Sequence, residues 1–230
     1  RVTDSFDATD TLDEPLEITV EEGVDTWPMG FYNPNNTCYN PDSHVSPPLT
    51  LVYDVDLPGN HYTMLTIGRS KIYMIDSGGY LRVLDQSNGS QLWYKDIKTT
   101  SSYWTGASAA LWEDSVITGG TGIWSFDADD GTENWHIFTT SSFDHQGQVI
   151  VDGTIYFRST SSSLVSVEVD DGYLNWSSPW SEQPLFPPVY GEVGSQAYIA
   201  APRYSSLRCV NADNGNMVWE QGTGGSIYHN

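Results

Sequence analysis

Four stretches of this chain share one signature, a glycine followed four residues later by a tryptophan: LRVLDQSNGSQLW, IWSFDADDGTENW, LVSVEVDDGYLNW and LRCVNADNGNMVW. The glycines are Gly89, Gly131, Gly172 and Gly215, the tryptophans Trp93, Trp135, Trp176 and Trp219, and both series advance by 42, 41 and 43 residues. A period of that size marks supersecondary units that stack and share their cores. Within each unit, short runs alternate apolar and polar residues with period two, as half-buried strands do. In the first unit these runs are expected near 61–67, 71–76, 80–85 and 91–97. The last two runs are joined by Asp-Gln-Ser-Asn-Gly, and by Asp-Ala-Asp-Asp-Gly, Glu-Val-Asp-Asp-Gly and Asn-Ala-Asp-Asn-Gly in the later units. Glycine there supplies a positive φ, and the polar residue four places earlier can bond turn amides.

Four short strands per repeat, each repeat closing on a tryptophan that can face its neighbour, is the arithmetic of a propeller blade. The expected fold is therefore all-β: a β-propeller of four-stranded antiparallel blades, four full blades plus a composite or incomplete fifth. The blades are expected at about 59–97, 101–138, 143–178 and 184–221, with 223–230 and 49–57 forming the partial one. LTLVYDVDL (Leu49–Leu57) reads as an isolated fourth strand with Tyr53 in the tryptophan's place, and GGSIYHN at the other end as an isolated first strand. Closure could come from LEITVEE (Leu16–Glu22), from further blades of a seven- or eight-bladed ring, or from another copy, because an open blade exposes a strand edge. A β-sandwich with regular turns is the competing architecture. No capped amphipathic run of ten or more residues competes for a helix.

Charge narrows the function classes. The chain has 30 Asp and Glu against 9 Lys and Arg, a formal net charge of −21. Nine scattered cations cannot neutralise a phosphate backbone, which argues against nucleic acid. With 38% hydrophobic and 13% aromatic residues, the chain does not read as disordered. Its lysines are Lys71, Lys95 and Lys98 alone, a bias that suits a surface working in high salt, where screening tolerates self-repulsion. An acidic secreted protein from ordinary salt is the alternative. No apolar run reaches the ~18 residues of a membrane helix. The chain begins with Arg1 rather than Met, from which a preceding segment is expected. Residues 1–26 form an acidic arm, read either as a solvated tether or as an arm that docks on a neighbouring subunit, and 27–48 form a lead-in segment. Sequons at Asn35, Asn88 and Asn175 are candidate glycosylation sites and fit an exported chain.

Through these repeats the chain resembles the quinoprotein-like (PQQ-type) repeat propellers. The resemblance covers about 26–230 and rests on Tyr73, Tyr156 and Tyr198 at a second-strand aromatic position and on Asp85 and Asp127 with Gly89 and Gly131 in the turn. Glu168 and Asn211 depart conservatively from that Asp. The stretch TWPMGFYNPNNTCYNPDS (Thr26–Ser43) looks like the lead-in of secreted haloarchaeal members. Such propellers include dehydrogenases, sugar-contacting surface proteins and assembly scaffolds, so the likeness is specific for fold and weak for function. In this lead-in Cys38 stands where a small residue is usual, and Cys209 falls on a third strand. Propeller ends meet at ring closure, so Cys38 and Cys209 are either a candidate disulfide, stabilising by roughly 3–5 kcal/mol, or two separate thiols.

A quinoprotein dehydrogenase would need a calcium or lanthanide site, a catalytic Asp, a planar tryptophan floor and often adjacent cysteines, and no Cys-Cys occurs. Asp127, Asp129, Asp130 and Gly131 superficially resemble a calcium loop but lack its length and distal Glu, so a structural turn is expected. No nucleophile elbow, zinc helix or phosphate loop appears, and the histidines show no ligand spacing. Neither a cofactor, a metal nor a catalytic residue is assigned.

One binding pattern remains. Counting ten residues past each repeat tryptophan gives Tyr103, His145, Phe186 and His229, with Trp104, Phe143 and Tyr228 adjacent and His61 and Tyr62 in the corresponding first-unit stretch. In a propeller these connections open on one face near the axis, joined by Arg158 and Arg203 from the links between second and third strands. Aromatics with two guanidinium groups suit a glycan or a protein loop; the competing reading is that the aromatics fill the inner-strand core. The functional expectation is a non-catalytic extracellular or cell-surface module, from a halophilic archaeon, binding protein or glycan. Alternatives are a structural subunit of a cell-surface layer, filament or virus spike, and a reduced PQQ-type oxidoreductase.

Overall fold

The computed structural model describes residues 29, 51–57, 64–97, 108–119, 122–138, 147–159, 163–179, 187–202 and 205–225. Their strands form four separate four-stranded sheets, each an antiparallel meander in chain order. The first holds β1 (Thr66–Gly68), β2 (Lys71–Ile75), β3 (Tyr80–Asp85) and β4 (Gln91–Asp96). The second holds β5 (Ala110–Trp112), β6 (Ser115–Gly119), β7 (Gly122–Asp127) and β8 (Glu133–Phe138). The third holds β9 (Val149–Val151), β10 (Thr154–Ser159), β11 (Ser163–Glu168) and β12 (Leu174–Pro179). The fourth holds β13 (Val189–Val193), β14 (Gln196–Pro202), β15 (Ser206–Asn211) and β16 (Met217–Gly222). The first strands β1, β5, β9 and β13 neighbour one another in succession, so the sheets fan out as blades of a propeller from a common inner side.

Each blade's last hairpin is built identically. Gly89, Gly131, Gly172 and Gly215 have φ of 73°, 75°, 72° and 69°. Their amides donate to the carbonyls of Asp85, Asp127, Glu168 and Asn211 at 2.8, 2.9, 3.0 and 2.9 Å. The residue before each glycine caps the amide after it: Asn88, Asp130, Asp171 and Asn214 accept from Ser90, Thr132, Tyr173 and Asn216 at 2.8, 2.7, 2.9 and 3.0 Å. Asp127 Oδ1 also accepts from the Asp129 and Asp130 amides, 2.7 and 3.1 Å away. These acids are turn staples, as their recurrence implied.

A second repeated device was hidden in the sequence. The register shifts at the same place in every blade, between Val83 and Leu84, Ser125 and Phe126, Ser166 and Val167, and Cys209 and Val210. Each shift is a bulge that leaves one residue unpaired on the fourth strand just before the tryptophan, and such bulges re-aim the side chain beside them. The register also corrects the aromatic position. Tyr73 and Tyr156 share a row with Trp93 and Trp176, but the equivalent places in the second and fourth blades are Ile117 and Ala200. Tyr198 instead lies opposite Asn211, one full pleat nearer the turn, because the Asp-to-Asn turn fixes the register and the tyrosine merely falls nearby.

The cores lie between blades. Tyr73, Ile75 and Val83 meet Val116 and Phe126; Ile117 and Ile123 meet Ile150, Ile155 and Phe157; Tyr156 and Trp176 meet Ile199 and Val210. Met29, 7% exposed, belongs to the second of these cores, between the second and third blades. The first strand of the first blade is shorter than expected, beginning at Thr66, while His61 and Tyr62 lie outside the described residues. Residues 51–57, expected as a strand, form none, since no third strand stands beside them among the described residues. Of the C-terminal part of the expected partial blade, 223–230, residues 223–225 form no strand and 226–230 lie outside the described residues.

Candidate functional site

The bulge and the glycine turn combine into a junction that recurs between blades. Trp93 Nε1 donates to the Asp129 carbonyl (3.1 Å), Trp135 Nε1 to Val169 (2.7 Å) and Trp176 Nε1 to Ala212 (2.8 Å). In every case the acceptor is in the turn of the following blade. The indole lies directly on that turn's glycine: a Cβ added to Gly131, Gly172 or Gly215 would come within 2.8, 2.8 and 2.5 Å of the seated tryptophan. No real Cβ sits so close. The glycine thus meets two demands, a positive φ and an empty face for the indole.

At the first blade the same seat is filled differently. The Gly89 turn is covered by Tyr53 and Val55, and the Tyr53 hydroxyl donates to the Gln86 carbonyl at 2.7 Å. Gln86 stands three residues before its glycine, as Val169 and Ala212 do before theirs. Tyr53 therefore takes the tryptophan's place, as its sequence position suggested. The segment around it is thinly held, with Leu51 78% and Val52 71% exposed.

The fourth blade presents the complementary gap. Trp219 is 43% exposed, whereas Trp176 is 9% exposed and Trp93 and Trp135 are half-buried. Met217 and Val218 are exposed too, but so are their equivalents Leu174 and Leu92; the difference lies at the tryptophan and at Gln221, which is exposed where Lys95, Ile137 and Ser178 are half-buried. Its row on this flank is Ala200, Cys209 and Trp219. Cys209 is a buried free thiol, its Sγ 4.0 Å from the Val210 carbonyl, and burial pushes its pKa up. Of the two readings of the cysteines, a bridge or separate thiols, the structure shows Cys209 as a free thiol, and Cys38 lies outside the described residues.

Ion pairs tie the first two blades at the edge beside the turns. Arg69 bonds Asp114 (2.8 Å) and Asp129 (3.0 Å), and Lys71 bonds Asp129 (2.7 Å). These hydrogen bonds hold the Asp129 carboxyl below its usual range, while Ser87 and Thr132 do the same for Asp85 and Asp130.

The aromatic mouth read from the sequence falls largely outside the described residues: His61, Tyr62, Tyr103, Trp104, Phe143, His145, Phe186, Arg203, Tyr228 and His229 are all there, as is Asn35. Arg158 is described, and it is 4% exposed, with Nη1 3.4 Å from the Pro202 carbonyl. Its guanidinium is built into the junction of the third and fourth blades rather than presented to solvent. A group the sequence did not single out lies at the β2–β3 link. Buried Asp76 accepts from Arg82 Nε (2.6 Å) and the amides of Gly78 (2.8 Å) and Tyr80 (3.1 Å), and Arg82 lies over the rings of Tyr80 and Tyr94. The Asp-Ser-Gly-Gly turn was its only sequence signal. Both Asn88 and Asn175 are exposed, the latter donating to Glu168 Oε1 at 2.6 Å.

Among the described residues no three His, Cys, Asp or Glu side chains gather as metal ligands. The repeated turn acids bond turn amides, Arg69 and Lys71, so the described residues do not fit a quinone-and-calcium site. The fold and its tryptophan junctions define a PQQ-type repeat propeller. The profile of the family described as outer membrane protein assembly factor BamB matches residues 65–225, and the chain belongs to that family. BamB from Moraxella catarrhalis is similar in structure, with 18% identity and a TM-score of 0.60 over 74% of this chain and 51% of that one. The quinohemoprotein alcohol dehydrogenase ADHIIG from Pseudomonas putida HK5 aligns at 16% identity and a TM-score of 0.69, over 86% of this chain and 40% of its own. A europium-containing methanol dehydrogenase aligns at 12% identity and a TM-score of 0.58, over 71% and 41%. The chain spans about half or less of these structures, and the identities speak for the fold alone. No curated protein sequence matches this chain.

Proposed function

We propose that the chain is a non-catalytic binding or assembly module that engages a protein partner through the Trp219 flank, and that it works outside the cell in high salt. The observation that carries this reading is the exposure of Trp219, 43%, on a row that forms an interface at each of the other three blades. Large exposed indoles are common anchors of protein interfaces. A relative described as an assembly factor is compatible with such a role. The net charge of −21 favours the high-salt setting. Of the residues on which the glycan reading of the mouth rests, Arg158 alone is among the described ones, and it is 4% exposed.

A photo-crosslinking amino acid placed at Trp219 tests the proposal in the organism that makes the protein. The same label at Leu92, on an outer position of the first blade, is the control. A covalent protein adduct from position 219 and none from 92 is expected; adducts from neither, or equally from both, overturn the reading.

A further inference from the structure

We propose that the partner of the Trp219 flank is a second copy of this chain, and that the indole docks on the second copy's Gly89 turn in the seat Tyr53 holds in the isolated molecule. This rests on the docking-face reading above and names the occupant.

Three junctions within the chain show what the flank fits. Trp93, Trp135 and Trp176 each lie on a glycine turn and donate to a carbonyl of that turn. The matching surface for Trp219 is therefore a turn with glycine at positive φ and a free carbonyl edge. Among the described residues four turns are of this repeated kind, at Gly89, Gly131, Gly172 and Gly215. Those of Gly131, Gly172 and Gly215 are covered by tryptophans, and only that of Gly89 is covered by something else. Four residues before Tyr53, where the repeat requires glycine, the sequence has Leu49.

The Gly89 seat is held by a replaceable occupant. Tyr53 donates to the Gln86 carbonyl, and it sits on a segment that has no strand partner among the described residues and whose Leu51 and Val52 are largely exposed. Each tryptophan, by contrast, is borne on a four-stranded sheet. Exchange of Tyr53 for Trp219 keeps the carbonyl bond and swaps a phenol for the larger indole surface. Head-to-tail association of two copies would form two identical Trp219–Gly89 junctions. The obstacle is repulsion between two chains of charge −21, so the association needs salt that shortens the screening length to roughly 3 Å, near 1 M.

Sedimentation velocity in molar KCl reads the result, with far-UV dichroism showing that each variant is folded. The wild-type chain is expected to form a concentration-dependent dimer that weakens as salt is lowered. Trp219→Ala raises the dimer dissociation constant by at least about tenfold. Tyr53→Ala frees the seat and lowers it by about tenfold or more, because apparent affinity scales with the fraction of competent molecules. Tyr53→Trp, which strengthens the cap, raises it. A folded wild-type chain that stays monomeric at high concentration, or a dimer indifferent to both positions, overturns the inference. If self-association is absent while position 219 still crosslinks to a different protein, the inference fails and the docking-face reading stands; if both are absent, both fail.

Discussion

At the residue scale the repeat glycine is the most constrained position in the molecule. It must adopt φ near +72°, and it must leave its face bare for a tryptophan. The two demands separate in the structure. Gly153 has φ of 78° with nothing within 4 Å of an added Cβ, whereas at Gly172 that Cβ would lie 2.8 Å from Trp135. Gly153→Ala should therefore cost only the left-handed penalty, about 1–2 kcal/mol. Gly172→Ala should cost clearly more, because it also unseats the indole. Denaturant unfolding of the two variants checks this, and equal losses would mean the indole does not depend on the bare glycine. The repeated Gly and Trp could be read from sequence because both demands are local and recur in every unit. Arg158 shows the reverse. Its place in sequence suggested a ligand contact, but its burial against Pro202 depends on a neighbouring blade that no local pattern reports.

At the scale of the element, a blade is a meander whose last strand carries a bulge and whose last side chain belongs energetically to the next blade. Alternation announced the strands and the turns set their order. The bulge was not legible, because it moves register by a single residue without altering composition. Tyr198 was misaligned for the same reason: register is fixed by hydrogen bonding to a partner strand, not by the nearest aromatic. The blade-to-blade junction predicts unequal effects for equivalent tryptophans. Trp135→Ala removes an indole seated on Gly172 and bonded to Val169, and should cost about 3–5 kcal/mol. Trp219→Ala removes one that is 43% exposed, and should cost well under half of that in dilute monomer. Thermal melts of both variants at low concentration decide the matter; equal losses would mean that Trp219 is already seated.

For the whole molecule the acid excess governs behaviour in solution. Asp85, Asp129 and Asp130 have carboxyl pKa values held below the ordinary range by Ser87, by Lys71 and Arg69, and by Thr132. Groups with depressed pKa values bind fewer protons when folded. Their contribution is fully present above the unfolded carboxylate pKa of about 3.9 and is lost as pH falls through the lower folded values. Acid unfolding in high salt should therefore begin below about pH 4, and Asp129→Asn should flatten that limb. A melting-temperature series from pH 7 to pH 2 measures it, and a stability loss centred near pH 6 would show that other groups control the response.

By itself the sequence determined the all-β repeat, the turn positions and the identity of the residues that join blades, because these follow from local periodicity and from conformations open only to glycine. The tertiary structure alone decided which tryptophan is left without a seat, that Met29 enters a core and that Cys209 is a buried thiol. Each of those depends on what lies across a sheet face, and distant segments meet there through packing that leaves no mark on spacing along the chain.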